Sequence, residues 1–204
     1  MGNGIALFGG TFDPIHHGHL IVARAVVEQL GYARVVLIPA PNPPHKVGRE
    51  LTDATHRLEM ARRAVEGEPR FDVSDIELRR PGLSYTILTV EAFRREVGPD
   101  VPLAWIIGGD SLPELHSWYR IGELVDACRI VTAVRAGYET PDLSALRRTL
   151  APEQVDRLCR DILPTPVIEI SATDIRRRVH DGESIRCLVP ESVRAYIHDH
   201  NLYK

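Results

Sequence analysis

Two histidines three residues apart, His16 and His19, follow a glycine pair in the stretch Ile5-Ala-Leu-Phe-Gly-Gly-Thr-Phe-Asp-Pro-Ile-His-His-Gly-His-Leu20. An apolar strand runs into Gly9-Gly10, then Thr11, then a helix start. Glycines at a strand end let backbone approach a ligand closely, although this pair alone reads equally as a tight turn. A helix start offers unpaired N–H groups and a positive dipole end, which suit phosphate. The imidazoles share one helix face and add donors whose charge can change near neutral pH. A metal pair would need a third ligand at usual spacing, and none stands nearby. Capping of a turn is the plainer role for these rings, and phosphate contact is the one the pattern favours. Gly18, between them, points to close approach by something large, since glycine inside a helix costs about 1 kcal/mol. His17 falls on another face, solvent-facing or structural, and Asp13-Pro14 shapes the turn. Neither GxGxxG nor GxxxxGK[ST] is present, and the second strand ends in Pro39-Ala40-Pro41 without an acidic residue for a ribose. A different phosphate geometry is implied.

Other segments carry comparable chemistry. Ser171-Ala-Thr-Asp174 resembles a capping box, with the serine oxygen accepting from a backbone N–H three residues on. Such a helix start can still present N–H groups and the Thr173 hydroxyl to phosphate. Arg176-Arg-Arg178 reads as a solvated charge run, except that Arg176 lies about one turn from the cap and can fork onto phosphate oxygens. Trp118-Tyr119 reads as core packing, yet it follows Gly108-Gly109-Asp110, a strand end with little bulk. His45-Lys46 sits in the loop Pro39-Ala-Pro-Asn-Pro-Pro-His-Lys46, where prolines forbid a helix. Lys46 is either an exposed lysine or a phosphate contact.

These residues need a scaffold. Apolar runs alternate with helical patterns, which predicts an α/β fold with an open parallel sheet and helices on both faces. Strands are expected at Ile5–Phe8, Arg34–Ile38, Phe71–Val73, Leu103–Ile107, Arg129–Val134 and Val167–Ile170. Helices are expected at Gly18–Leu30, Ala54–Val65, Tyr85–Val97, Ile121–Ala127, Leu143–Leu150, Glu153–Arg160, Thr173–His180 and Glu191–His200. Leu20, Ala23, Val27 and Leu30 share one helical face. In such sheets ligands bind outside the carboxyl ends of the strands where strand order reverses. Gly9–His19, Pro39–Lys46, Gly108–Ser111 with Trp118-Tyr119, and Ser171–Arg178 all fall on that rim.

The chain of 204 residues is long enough for one domain, 1–204, with a small helical part from about 171 to 204. A composition 44% hydrophobic and 26% charged is that of a globular protein. A net charge of -3 argues against a nucleic-acid binder. Three scattered cysteines, Cys128, Cys159 and Cys187, form no CxxC pair and fit a reducing cytoplasm. No secretory signal pattern and no membrane-length apolar run are seen, so no membrane partner is expected. Oligomeric state is left open.

The stretch GGTFDPIHHGH resembles the GxFDPxHxGH signature of nucleotidyltransferases with an HxGH motif, and Ile170-Ser-Ala-Thr-Asp-Ile-Arg176 resembles their ISxTxIR signature. Ala172 departs from the serine often found there, leaving Ser171, Thr173 and Arg176 in place. The chain is most similar to the bacterial nicotinate mononucleotide adenylyltransferases: in length, the PxPPHK loop, Ser84-Tyr85-Thr86, the IxGxD strand end and Trp118-Tyr119. The resemblance implies a Rossmann-like nucleotidyltransferase fold. It implies adenylyl transfer from ATP to nicotinate mononucleotide, with Mg2+ bound through the ATP phosphates and no protein metal site. His16, His19 and Arg176 would be catalytic. ATP would be held by Gly9, Gly10, Thr11, Phe12, His16, Gly18, His19, Gly108, Asp110, Ser171, Thr173 and Arg176. The mononucleotide would be held by Lys46, Ser84, Tyr85, Thr86, Gly109, Trp118 and Tyr119. Trp118 would stack on the pyridine ring, whose carboxylate meets backbone N–H groups near Thr86 and Tyr119. Asp110 would hold a ribose hydroxyl or orient a metal-bound water. Transfer to another acceptor such as phosphopantetheine, cytidylyl transfer from CTP, and a non-catalytic nucleotide-binding regulator are the alternatives.

Overall fold

Strands buried on both faces should be apolar at every position, and four of the six found here nearly are. The computed structural model describes residues 2–44, 48, 50–135, 137–139 and 141–204. The strands are β1 (Ile5–Gly10), β2 (Arg34–Pro39), β3 (Phe71–Val73), β4 (Leu103–Gly108), β5 (Arg129–Arg135) and β6 (Ile162–Thr165). They form one parallel sheet in the order β3-β2-β1-β4-β5-β6. The helices are α1 (His17–Leu30), α2 (Ala54–Ala64), α3 (Thr86–Val97), α4 (Ile121–Ala127), α5 (Ser144–Thr149), α6 (Pro152–Arg160), α7 (Ala172–His180) and α8 (Glu191–Asp199), with a 3-10 turn at Pro113–Ser117.

Alternation along each strand divides the interior into two cores. Ile5 and Leu7, Val36 and Ile38, and Leu103, Trp105 and Ile107 pack with α3, α4, α5 and α6. Ala6, Val35, Leu37, Ala104, Ile106 and Val131 pack on the other face with α1, α2, α7 and α8. Ala23 and Val27 of the expected α1 stripe are buried, and Leu20 and Leu30 pack against the same core. Gly31 stops α1 in a left-handed conformation, φ 65°, returning its N–H to the last turn.

Strand order reverses between β1 and β4, and their ladder is short. It pairs Ile5 with Leu103, Ala6 with Ala104 and Leu7 with Trp105, and then ends. By contrast β1 follows β2 to Gly10–Pro39, and β4 follows β5 to Gly108–Ala133. The carboxyl halves of β1 and β4 therefore part, which is the geometry of a ligand crevice. The Trp105 indole, 4% exposed, lies where a side chain on Gly9 would stand: an added Cβ would sit 2.7 Å from its Cη2.

One expected element is corrected. Val167–Ile170 is not a strand; the sixth strand is Ile162–Thr165, on the edge beside β5. Its Pro164 is tolerable only at an edge, where a missing N–H breaks no second ladder. Pro166 lacks the donor that would extend it, so the Val167–Ile170 segment becomes a loop instead, with Val167 56% exposed.

Gly9→Ala should lower the unfolding free energy by about 1–3 kcal/mol, read by urea denaturation, because the new methyl must displace a buried ring. Shrinking that ring in Gly9→Ala/Trp105→Leu should recover at least about 0.5 kcal/mol relative to the sum of the single variants. Strict additivity would mean the methyl does not press on the indole.

Candidate active site

The first corner joins β1 to α1. His16 is the N-cap, with extended backbone, and His19 is the third helical residue. Their rings stack with centroids 3.7 Å apart and planes at 24°. The His16 backbone N–H donates to His19 Nδ1 at 3.3 Å. A neutral ring that accepts at Nδ1 carries its proton on Nε2, so His19 is set as an Nε2–H donor. His19 also leans edge-on against Phe12, centroids 5.0 Å apart. His16 is 6% exposed, and its Nδ1 is buried without a hydrogen-bond partner. Burial, helped by the neighbouring His17, pulls its pKa down to about 4. It is therefore a neutral imidazole at physiological pH.

Two sequence expectations at this corner acquire different partners. Gly18 does admit close neighbours, but they are protein atoms: an added Cβ would lie 3.0 Å from the His16 ring and 3.5 Å from Ile168 Cγ2. The loop misread as a strand thus passes over the start of α1. Phe12 is 2% exposed, so its ring forms floor and its backbone, at φ 49°, is what can face a ligand.

The last corner leads from that loop into α7. Ser171 Oγ accepts from the Asp174 N–H at 3.1 Å, the expected cap. Arg177 and Arg178 pair with Asp174, Asp181 and Glu183 on the surface. Arg176 differs: it donates through one Nη to the Asp13 carbonyl at 2.7 Å and lies 3.5 Å from Thr173 Oγ1 through the other. The two end motifs are therefore joined directly, across 163 positions of chain. The Asp13–Pro14 peptide bond is cis.

Two further residues brace the first corner, and neither was singled out from the sequence. Arg57 is 1% exposed and donates to four carbonyls, those of Thr52 (2.8 Å), Thr11 (2.7 Å), Ala40 (2.7 Å) and Pro41 (3.3 Å). Burial lowers its pKa. The Tyr203 hydroxyl donates to Asp13 Oδ1 at 2.7 Å, and the Thr52 N–H donates to Asp13 Oδ2 at 3.2 Å.

The other face of the sheet supplies a second set. Trp118 follows the 3-10 turn and packs partly buried against the α3–α6 core. Tyr119, 51% exposed, lies against Tyr85 with ring centroids 4.6 Å apart. Tyr85 is the N-cap of α3, so Thr86 opens that helix, where first-turn N–H groups collect. Ser84 is engaged with the proline loop: its N–H donates to the Asn42 carbonyl at 3.0 Å, and its Oγ accepts from the Asn42 N–H at 3.4 Å. At the β4 end Asp110 is exposed, and Tyr138 packs over Gly109 and donates to its carbonyl at 3.0 Å. His45 and Lys46 lie outside the described residues. Among the described residues no cluster of three or more His, Cys, Asp or Glu could hold a metal, and no helix is long and apolar enough to cross a membrane.

Two groups of side chains thus stand at the ends of the strands: an imidazole–guanidinium corner on one face of the sheet and an aromatic, helix-start surface on the other. The cytidylyltransferase-like family matches residues 7–178. A Thermomicrobium roseum protein named "Probable nicotinate-nucleotide adenylyltransferase" is 43% identical over 200 residues, covering 98% of this chain and 91% of that protein. One of the same name from Pectobacterium atrosepticum is 44% identical over 209 residues and covers 98% of each. The fold matches that of a Plasmodium falciparum nicotinic acid mononucleotide adenylyltransferase, solved as a complex with NaAD, with a TM-score of 0.75 at 18% identity over 98% of this chain and 97% of that one. With these full-length relatives and the two end motifs joined in space, the chain belongs to the nicotinate-nucleotide adenylyltransferase family of nucleotidyltransferase enzymes.

Proposed function

We infer that the enzyme transfers the adenylyl group of ATP to nicotinate mononucleotide, giving nicotinate adenine dinucleotide and pyrophosphate, a step of NAD biosynthesis. The observation that carries this reading is the Arg176–Asp13 bond, which sets the stacked His16–His19 corner beside the start of α7. A triphosphate entering the crevice meets both corners at once.

The mononucleotide's phosphate oxygen attacks the α-phosphorus in line as the bond to pyrophosphate breaks. No protein nucleophile is needed, so catalysis is positioning and charge stabilisation. His19, fixed as an Nε2–H donor, and His16 donate to the α- and β-phosphates. The second Nη of Arg176 and the start of α7, with Ser171 and Thr173, serve the β- and γ-phosphates. Gly9, Gly10, Thr11, the Phe12 backbone and Gly18 line the same end, with the adenine beneath the start of α7 and Gly108 and Asp110 toward the ribose. Trp118 and Tyr119, with Ser84, Tyr85, Thr86 and Gly109, form the acceptor side. Mg2+ arrives with ATP; it needs few protein ligands, and an exposed Asp110 on the rim fits a metal-bound water as well as a ribose hydroxyl. When bound, the ion offsets negative charge on the phosphates. We place the enzyme in the cytoplasm, where free cysteines such as the buried Cys128 stay reduced.

Pyrophosphate release should require ATP, magnesium and nicotinate mononucleotide together. Nicotinamide mononucleotide, phosphopantetheine and CTP serve as alternative substrates in parallel assays, and preference for any of them would overturn the reading. His19→Ala should lower kcat by about a hundredfold or more, as loss of one transition-state donor does; near-full turnover would remove His19 from the chemistry.

His16 makes a separate, pH-linked prediction. Its native pKa of about 4 lies below its ordinary 6.5, so protons bind the unfolded chain first as pH falls. The stability is fully present above about pH 6.5 and is lost toward pH 4. From pH 7.5 to pH 5 this group should cost about 2 kcal/mol of unfolding free energy, and His16→Gln should lose that part of the slope. Equal slopes for the two proteins in urea titrations would refute it.

A further inference from the structure

Arg57 and Tyr203 each reach the first corner, Arg57 at the Thr11 carbonyl and Tyr203 at the Asp13 carboxylate. Asp13, 5% exposed and three residues before His16, is where the forces meet. Its carbonyl takes Arg176, one carboxylate oxygen takes the Tyr203 hydroxyl, and the other takes the Thr52 N–H. Thr52 in turn gives its carbonyl to Arg57, which also holds the Thr11 carbonyl. One residue therefore links the two braces. We propose that Tyr203 is a positioning residue for the transfer reaction: by fixing Asp13, it keeps the His16–His19 corner in register with Arg176, with Arg57 bracing the corner from the β2 side. This rests on the adenylyl-transfer reading.

Three observations support the assignment. Tyr203 is itself held firmly: it and Asn201 take left-handed backbone, φ 66° and 52°, and the intervening Leu202 N–H donates to the Ile197 carbonyl at 3.0 Å. Non-glycine residues keep such conformations only where their surroundings impose them. Leu202 and Tyr203 both pack against the α1–α2–α8 core, so the hydroxyl is presented from a fixed base. Burial and the Asp13 carboxylate push the phenol's pKa up, which keeps the proton on the donor. Any shift of Asp13 moves the carbonyl that seats Arg176 together with the turn that sets His16. Errors of about 1 Å in such a constellation cost up to about a hundredfold in rate.

Tyr203→Phe deletes one hydroxyl and leaves the ring in its core. In the full-length enzyme, kcat should fall roughly ten- to a hundredfold, while KM for nicotinate mononucleotide, held on the opposite face of the sheet, should change less than about twofold. In a His19→Ala background the same change should cost less than about twofold more, because the corner it positions is already disabled. Arg57→Lys, which keeps the charge but cannot span the carbonyls, should show the same split between kcat and KM, and it decides the matter if Tyr203→Phe does not fold. A wild-type enzyme that is active, with Tyr203→Phe within twofold of its kcat, overturns the proposal and leaves the transfer reading standing. Equal losses in both backgrounds also overturn it, since that is what a merely structural role gives. A wild-type enzyme that releases no pyrophosphate from nicotinate mononucleotide overturns the transfer reading itself.

Discussion

The point at which β1 and β4 stop pairing governs the molecule. Parallel strands on either side of a topological reversal carry their crossover helices on opposite faces, which is where ligands bind in sheets of this kind. Here the ladder ends at Leu7–Trp105, several residues before either strand ends. The glycines of β1 keep the gap workable, because Trp105 from β4 occupies the side-chain space of Gly9 and no residue with a Cβ would fit without moving it. Sheet geometry thus makes the crevice, and side-chain volume decides how far it closes.

Holding polar groups beside that crevice requires buried charge to be compensated. Arg57 lies in the interior, and among the described residues its partners are four backbone carbonyls in place of a carboxylate. Asp13 is satisfied by a phenol and a backbone amide. Removing one member of such a network leaves a buried partner unpaired at a cost of about 1–3 kcal/mol, more for charged groups. The arrangement is stiff for that reason. His16 shows the complementary tactic: its ring stays uncharged through burial, so it joins the corner without adding an ion that needs a partner.

Much of this was legible in the chain. The strands β1, β2, β4 and β5 declare themselves as apolar runs, and the Ser171 cap and the glycine–histidine corner are local patterns that local physics enforces. Arg176 differs from its two neighbours in place: they pair with surface carboxylates, whereas it donates to the Asp13 carbonyl. The sixth strand was misplaced because Val167–Ile170 is a short run rich in β-branched residues and Ile162–Thr165 contains a proline, whereas the free edge beside β5 decides the pairing. Arg57 was overlooked because an arginine on an amphipathic helix usually faces water. Tyr203 was overlooked because its partner lies 190 positions away, a distance no periodicity spans.

The division of the interior into two cores has a consequence for how this scaffold can diversify. The imidazole–guanidinium corner is built on the α1, α2, α7 and α8 side, and the Trp118, Tyr119 and Tyr85 surface on the α3 and α4 side, with the sheet between them. Mutations that repack one layer reach the other only through the strands. Side chains on the α3 and α4 face can then drift over evolutionary time while the corner on the other face stays intact, as one handle accepts interchangeable blades.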